Sequence, residues 1–382
     1  MKNTLYKISL LFLILFLVFA CKNRELTGNI NDEANITGEL EKIKVPTEIT
    51  DLSKDIEAFE FIQLESNSNC IIGEISKLLM HDEKYFIFDK ITKSVFCFNN
   101  EGKFLYKVSK QGKGPGEYYM LKDININREE QCIELYDRGK KEILSFSFQG
   151  NFKSKRNIDM YFDSFINFEN STYVFQKASD NPEHFNYYLV DDGKIKEKYV
   201  QCKSFDNTNI KNQISKNMNR IFMAHGCSNV IYTLIGKDIK PKYFIDFGEE
   251  NLPSEILYKQ KIGVEEFLKL LLKNYSMIIM NFYEDNNFLT FSYTKKKKLF
   301  WVIKDFTKNT IKNGNILFFG TTIMPPLYKY EDTFYSIIDL NYVDLDEIGE
   351  NSSKIEKDFL QRNMKYVSTN MNPVIFKFSL KK

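Results

Sequence analysis

The chain has 382 residues, with 53 Lys+Arg against 51 Asp+Glu and a formal net charge of +2. Lys2 and Lys7 supply that whole excess, so the remainder is neutral and offers no basic face to nucleic-acid phosphates. A hydrophobic content of 43% excludes wholesale disorder, and three histidines leave little material for His-based metal or triad chemistry.

The first element reads as an export signal. Lys2 and Lys7 form a basic start, and Ile8 to Ala20 is an apolar run broken only by Ser9. Such a run is too short to span a bilayer and fits the core of a signal peptide over residues 1–20. Its end, Val18-Phe19-Ala20-Cys21, resembles the bacterial lipobox. That resemblance implies a diacylated Cys21 as the new N-terminus, a palmitate-type anchor holding a folded domain to a membrane. The alternative is plain secretion by cleavage after Ala20. Residues 21–50 are polar and weakly patterned, as a flexible tether would be.

From residue 51 onward the chain predicts β-structure. Aromatic residues make up 15% of the sequence, and rings fill pleated, half-buried surfaces well. IFDKITKSVFCFNNEGKF (87–104) aligns without a gap on LYDRGKKEILSFSFQGNF (135–152), at an offset of 48. Asp89 falls on Asp137, Lys93 on Lys141, Phe98 on Phe146, Gly102 on Gly150 and Phe104 on Phe152. Each unit is a strand ending in Asp, a polar turn, a second strand, a turn at Gly and a third strand. The Asp side chain can hold backbone N–H groups of its turn, and Gly accepts positive φ. Further strands are expected at 173–176, 185–190, 195–200, 230–235, 243–247, 278–282, 289–293, 300–303, 316–319, 334–339 and 374–378.

Two stretches read as helical: Ser254–Tyr275, with Leu268, Leu271 and Leu272 at helical spacing and Ser254 as N-cap, and Asp344–Met364. With these set aside, the period leaves six units over 51–382. A repeat of that length, four strands to a unit, predicts an all-β six-bladed β-propeller. The alternative is a pair of β-sandwiches with one duplicated hairpin.

Gln111-Gly112-Lys113-Gly114-Pro115-Gly116-Glu117-Tyr118 is similar to the glycine-rich link that joins the blades of NHL-type repeats. Together with the 87–118 unit and the ending Asn372-Pro373-Val374-Ile375-Phe376, it resembles the six-bladed β-propeller lipoproteins of Bacteroidetes. The resemblance covers about residues 50–382 and implies a propeller on a lipid anchor, with no reaction attached. Strand 59–64 would then complete the blade of strand 374–380 and close the ring. Lys22, Asn23, Arg24 and Glu25 lack the acidic cluster of surface-exported members. The implied address is therefore the cell envelope, lipid-anchored at the outer membrane, with periplasmic and surface placements both open.

Site chemistry is sparse. The Gly112–Gly116 loop lacks GK[ST] and a following helix, so it reads as a structural turn, with Tyr118 packed between blades. Asp89, Gly102, Asp137 and Gly150 read as repeat turn formers. Asp344-Leu345-Asp346-Glu347-Ile348-Gly349 misses the EF-hand pattern at its fifth and twelfth positions and reads as a helix start. His81, His184 and His225 are isolated, and Lys295–Lys298 reads as a hairpin tip. Cys70, Cys97, Cys132, Cys202 and Cys227 show no paired ligand spacing, and one disulfide among them is open. No catalytic residue, metal ligand or cofactor is expected from these patterns. The chain is read as a binding or scaffold module whose propeller face takes a glycan, a peptide or a protein. The alternative is a lactonase-type or glycan-processing hydrolase or lyase, using axial carboxylates or histidines and a divalent metal.

Overall fold

The computed structural model describes residues 40–177, 183, 185–201, 214–257, 262–319, 321–340, 353–363 and 371–382. Strands β1 (Glu41–Lys44), β2 (Thr50–Asp51) and β3 (Ile56–Gln63) open the fold. Blade 1 follows as β4 (Ile75–His81), β5 (Lys84–Asp89), β6 (Ser94–Asn99) and β7 (Phe104–Val108). Blade 2 is β8 (Leu121–Asn127), β9 (Cys132–Asp137), β10 (Glu142–Ser147) and β11 (Phe152–Asn157). Blade 3 is β12 (Ser164–Phe168), β13 (Ser171–Phe175), β14 (Phe185–Asp191) and β15 (Lys194–Gln201). Blade 4 is β16 (Ile214–Asn217), β17 (Arg220–Met223), β18 (Val230–Ile235) and β19 (Asp238–Asp246). Blade 5 is β20 (Ser276–Glu284), β21 (Phe288–Lys295), β22 (Lys298–Asp305) and β23 (Thr310–Phe318), with β24 (Thr321–Ile323) beside it. Blade 6 is β25 (Tyr328–Tyr330), β26 (Thr333–Ile338) and β27 (Val374–Leu380), completed by β3.

The chain is an all-β six-bladed propeller. Within each blade the consecutive strands are antiparallel, and the innermost strands β4, β8, β12, β16, β20 and β25 contact one another around the axis. Ring closure is by β3 on β27, in register Phe61↔Phe376 and Ile62↔Ile375. Joining β3 to the last strand in one sheet removes a free edge and ties the start of the ring to its end.

Burial explains the sequence pattern strand by strand. Middle strands such as KYFIFD and EILSFS are buried on both faces because a neighbouring blade lies on each side. The outermost strands face solvent instead, and FKSKRN is accordingly polar. Between blades 5 and 6, Trp301 stands edge-on to Phe334 and Phe378 in an aromatic cluster that includes Phe61 and Phe376. The tryptophan is a core residue.

The segment expected to be a tether to residue 50 is part of the fold from Glu41. Strand β1 lies parallel on β19, placing Ile43 opposite Ile245, and Ile43 and Val45 are buried in the cluster between blades 4 and 5. Strand β2 lies parallel on β23 of the next blade, Thr50 opposite Gly314. A Cβ at position 314 would stand 1.8 Å from the Thr50 carbonyl oxygen, so only glycine admits this strap. The physical reason for the difference is in the residues: Ile43 and Val45 alternate with lysines, the period of a half-buried strand. The strap covers two outer edges that would otherwise offer unpaired backbone groups.

Three short α-helices occur among the described residues: α1 (Ser254–Leu257), α2 (Val264–Leu270) and α3 (Lys354–Asn363). The single helix expected over 254–275 is therefore two pieces, with Gly263 as N-cap of the second. Ser254 is the first helical residue and not a cap. The expected helix 344–364 is α3 where it is described, and residues 344–352 lie outside the described residues, the Asp344–Gly349 motif with them.

Candidate functional site

The repeat residues build the frame. Asp89 and Asp137 close β5 and β9, and both are fully buried. Asp89 accepts from the backbone N–H groups of Gly73 (2.7 Å), Glu74 (3.0 Å) and Ile91 (2.8 Å). Asp137 accepts from Tyr119 (2.8 Å), Met120 (2.9 Å) and Gly139 (2.9 Å). Each carboxylate thus pins its own turn and also the link entering its blade. Gly102 and Gly150 occupy the next turns at φ of +79° and +85°.

The Gly112–Tyr118 link folds back on itself. Gly112 N–H donates to the Tyr118 carbonyl (3.1 Å), and Gly114 N–H donates to the Glu117 carboxylate (2.8 Å). Lys113 and Pro115 lie within this turn, Gly116 turns at φ +74°, and the fully buried Tyr118 hydroxyl donates to the Lys93 carbonyl (2.5 Å). Its ring packs with apolar residues of blades 1 and 2. The N–H groups of Gly112, Gly114 and Glu117 are directed at acceptors within the link.

The isolated residues stay apart. His81 stacks on Phe148 at 4.3 Å, and burial holds its imidazole below the usual histidine range. His225 is buried against Tyr232 of blade 4 and Tyr187 of blade 3, while His184 lies outside the described residues. Lys295 pairs with Lys298 across a tight turn, as a hairpin tip. Cys70, Cys97 and Cys132 are buried free thiols, Cys227 is buried as well, and burial pushes Cys97 up to about 12. Cys21 and Cys202 lie outside the described residues.

What the ring does bring together is a cavity of about 180 Å³ on the axis, lined from all six innermost strands and their ends. Among the described residues its lining contains no aspartate, glutamate or histidine. At one side Lys77 Nζ donates to both oxygens of Asp123 (2.9 and 3.1 Å), behind the lining. Asp123 also accepts from Phe165 N–H (3.0 Å), so one carboxylate joins blades 1, 2 and 3. At the mouth, Arg128 follows β8, and its guanidinium donates to the Tyr330 hydroxyl (3.1 Å) with its carbon 4.6 Å from the centre of that ring. Lys216 on β16 donates to the Asn167 carbonyl (3.3 Å) and stands 5.5 Å from the Phe168 ring. Burial first, and then the Arg128 charge, hold its ammonium below the usual lysine range.

Neutral polar groups complete the lining. Tyr283 donates to the Leu327 carbonyl (3.1 Å), and burial raises its hydroxyl and pushes that of Tyr328 up to about 12. Asn125 on β8 is buried, and its side-chain nitrogen has no acceptor within hydrogen-bonding distance. Sequence reasoning missed Asn125, Arg128, Lys216 and Tyr330. The only signal available was their common place near the inner strand of each repeat, which shows once all six blades are aligned. Among the described residues, no group of three His, Cys, Asp or Glu stands ready to hold a metal ion.

The fold is shared with solved structures at low sequence identity. A Bacteroides fragilis NCTC 9343 protein, named for its inferred export, superposes with a TM-score of 0.75 at 17% identity, over 89% of this chain and 99% of that one. A member of the DUF4221 family from Bacteroides vulgatus ATCC 8482 superposes with a TM-score of 0.52 at 13% identity, over 86% and 98%. These likenesses show the propeller and no more. No curated protein matches the sequence significantly. A family profile does match over residues 3–379, and the chain belongs to that family, the domain of unknown function DUF4934.

Proposed function

We propose that this protein is a binding module of the cell envelope, anchored to a membrane through acylated Cys21, that takes its ligand at the axial mouth. The observation that carries the binding reading is the lining of the axis. A hydrolase or lyase needs positioned acids or bases at the reacting atoms, whereas this mouth presents hydrogen-bond donors and aromatic rings. The ligand classes that fit such a mouth are a glycan, a peptide end or a side chain of a partner protein. The anchor reading rests on the basic start, the short apolar run and the lipobox-like end at Cys21. The NHL-like reading of the repeats rests on the Gly112–Tyr118 link. A signal over 1–20, a tether from Cys21 to about residue 40 and a propeller thereafter complete the proposed organisation.

Two experiments test the two halves. Cys21→Ala is expected to move the protein from the membrane fraction to the soluble fraction and to abolish labelling by radioactive palmitate. A variant that stays membrane-bound and labelled overturns the anchor. For the mouth, Asn219→Trp places a large ring at the exposed rim, away from the blade cores. It is expected to lower binding of members of an oligosaccharide and peptide panel at least about ten-fold, near 1.4 kcal/mol, with an unchanged melting temperature. Panel binding that is indifferent to Asn219→Trp removes the ligand from the axis.

A further inference from the structure

We propose that the axial mouth is an oxyanion site, taking the carboxylate or phosphate group of a small molecule; this rests on the binding reading above. Arg128 and Lys216 stand together at the mouth, and among the described residues neither has a carboxylate within ion-pair distance. Arg128 spends its hydrogen bonds on tyrosine hydroxyls, and Lys216 meets only a backbone carbonyl and a ring. Elsewhere near this end of the ring, cations are matched by acids. Lys77 is on Asp123, Lys329 on Asp285, and Arg220 and Lys242 share Glu284. Of the described acids Glu129 acts on Lys216; it is exposed and raises the proton affinity of the ammonium less than Arg128 lowers it.

Lys216 is part-buried and Arg128 stands at the exposed rim; two like charges so placed repel each other, and an anion between them relieves the repulsion and the lost solvation of Lys216. A second, independent observation points the same way. The Asn125 amide nitrogen is more than nine-tenths buried, lines the same cavity and lacks an acceptor. A buried donor without a partner costs free energy that a bound oxygen would recover. Size limits the ligand. A cavity of about 180 Å³ lies below the range of drug-sized sites and admits one charged group with a small body. Tyr328 and Tyr330 line the cavity beside it.

The test is calorimetric titration of the full chain in detergent with glucose, glucuronate, glucose 6-phosphate and inorganic phosphate, each to about 10 mM, where a millimolar site is nearly saturated. Glucuronate or one of the phosphates is expected to bind at least about ten-fold more tightly than glucose, the low end for one charge-assisted hydrogen bond. Glucuronate alone would identify a carboxylate site, and the phosphates alone a phosphate site. Lys216→Met and Arg128→Gln should each weaken that anion at least about ten-fold without lowering the melting temperature, and Asn125→Ala should weaken it less. Added salt should weaken binding in the parent and barely affect what remains in the double variant. Anion binding that survives the Arg128→Gln/Lys216→Met double variant overturns the proposal, as does no heat from any anion. If a neutral panel member binds and is lost in Asn219→Trp but kept in Lys216→Met, the oxyanion site fails and the mouth stands. If no ligand found responds to either variant, both fall.

Discussion

Replacing Asp137 by alanine is expected to lower the unfolding free energy by about 3–5 kcal/mol, the range for stripping the partner from buried charged hydrogen bonds. The carboxylate is wholly buried and accepts three backbone N–H groups, from Tyr119, Met120 and Gly139. Two of these belong to the link that carries the chain from blade 1 into blade 2. Alanine leaves that link with Tyr118 still inserted and its exit held by the Arg138 N–H bond to the Met120 carbonyl (2.9 Å). Water reaches part of the break, because Tyr119 and Met120 are exposed, so the low end of the range is the more natural value. Asp137→Asn keeps one acceptor oxygen and should lose about half as much. Urea unfolding followed by tryptophan fluorescence reads the change through Trp301, which sits in the core between blades 5 and 6. The repeat-equivalent Asp89→Ala should cost at least as much, since Asp89 also accepts from Thr92 Oγ1 (2.9 Å). A loss below about 1 kcal/mol for both variants would show that these aspartates are ordinary turn residues.

That prediction was reachable from the sequence because the two aspartates recur at the same place in a gapless repeat. Local rules were enough for such features. A strand ending in Asp, a turn at Gly and a double-sided apolar run each report on neighbours within a few residues, so the blade count could be read early, while the closing pair of strands came with the family resemblance. The strap at Glu41–Lys44 was legible in principle, since Ile43 and Val45 alternate with lysines, but a polar surrounding made it look like linker. The 254–275 region misled in the opposite sense. Its leucines have helical spacing, yet Leu268 stays exposed on a two-turn piece capped by Gly263 that ends at Leu270, and Leu272 lies exposed in the turn beyond it. The mouth was illegible for a geometric reason. Asn125, Arg128, Lys216 and Tyr330 come from three blades, and nothing near Lys216 in sequence says that Arg128 lies beside it. Only closure of the ring makes them neighbours, and closure is a property of all six repeats at once.

The floor of the same cavity supplies the second large effect. Lys77→Met is expected to destabilise the protein by about 3–5 kcal/mol at neutral pH, because it leaves Asp123 as a buried carboxylate without its cation. Asp123 is 5% exposed, and burial already pushes its carboxyl above the usual range despite the opposing pull of Lys77. Removing Lys77 takes away that pull and raises the carboxyl further. The sign of the pH dependence follows. With its folded affinity for the proton above the unfolded one, Asp123 binds more protons in the native state, so stability falls as pH rises from about 3.9 through the folded value. The deficit of Lys77→Met relative to the parent should therefore shrink on acidification, in urea titrations run between neutral pH and about pH 4. Lys77→Met/Asp123→Leu should recover most of the loss, since replacing both members of a buried pair leaves no stranded charge. A double variant as unstable as the single one would mean that Asp123 serves blades 1 to 3 chiefly through Phe165 N–H, with the ion pair incidental. The same pair connects stability to binding. A free Asp123 carboxylate beneath the cavity would repel an oxyanion held by Arg128 and Lys216, so Lys77→Met should weaken glucuronate or phosphate at neutral pH and the double variant should restore it. A binding loss that persists in the stable double variant would place Lys77 itself among the groups that hold the anion.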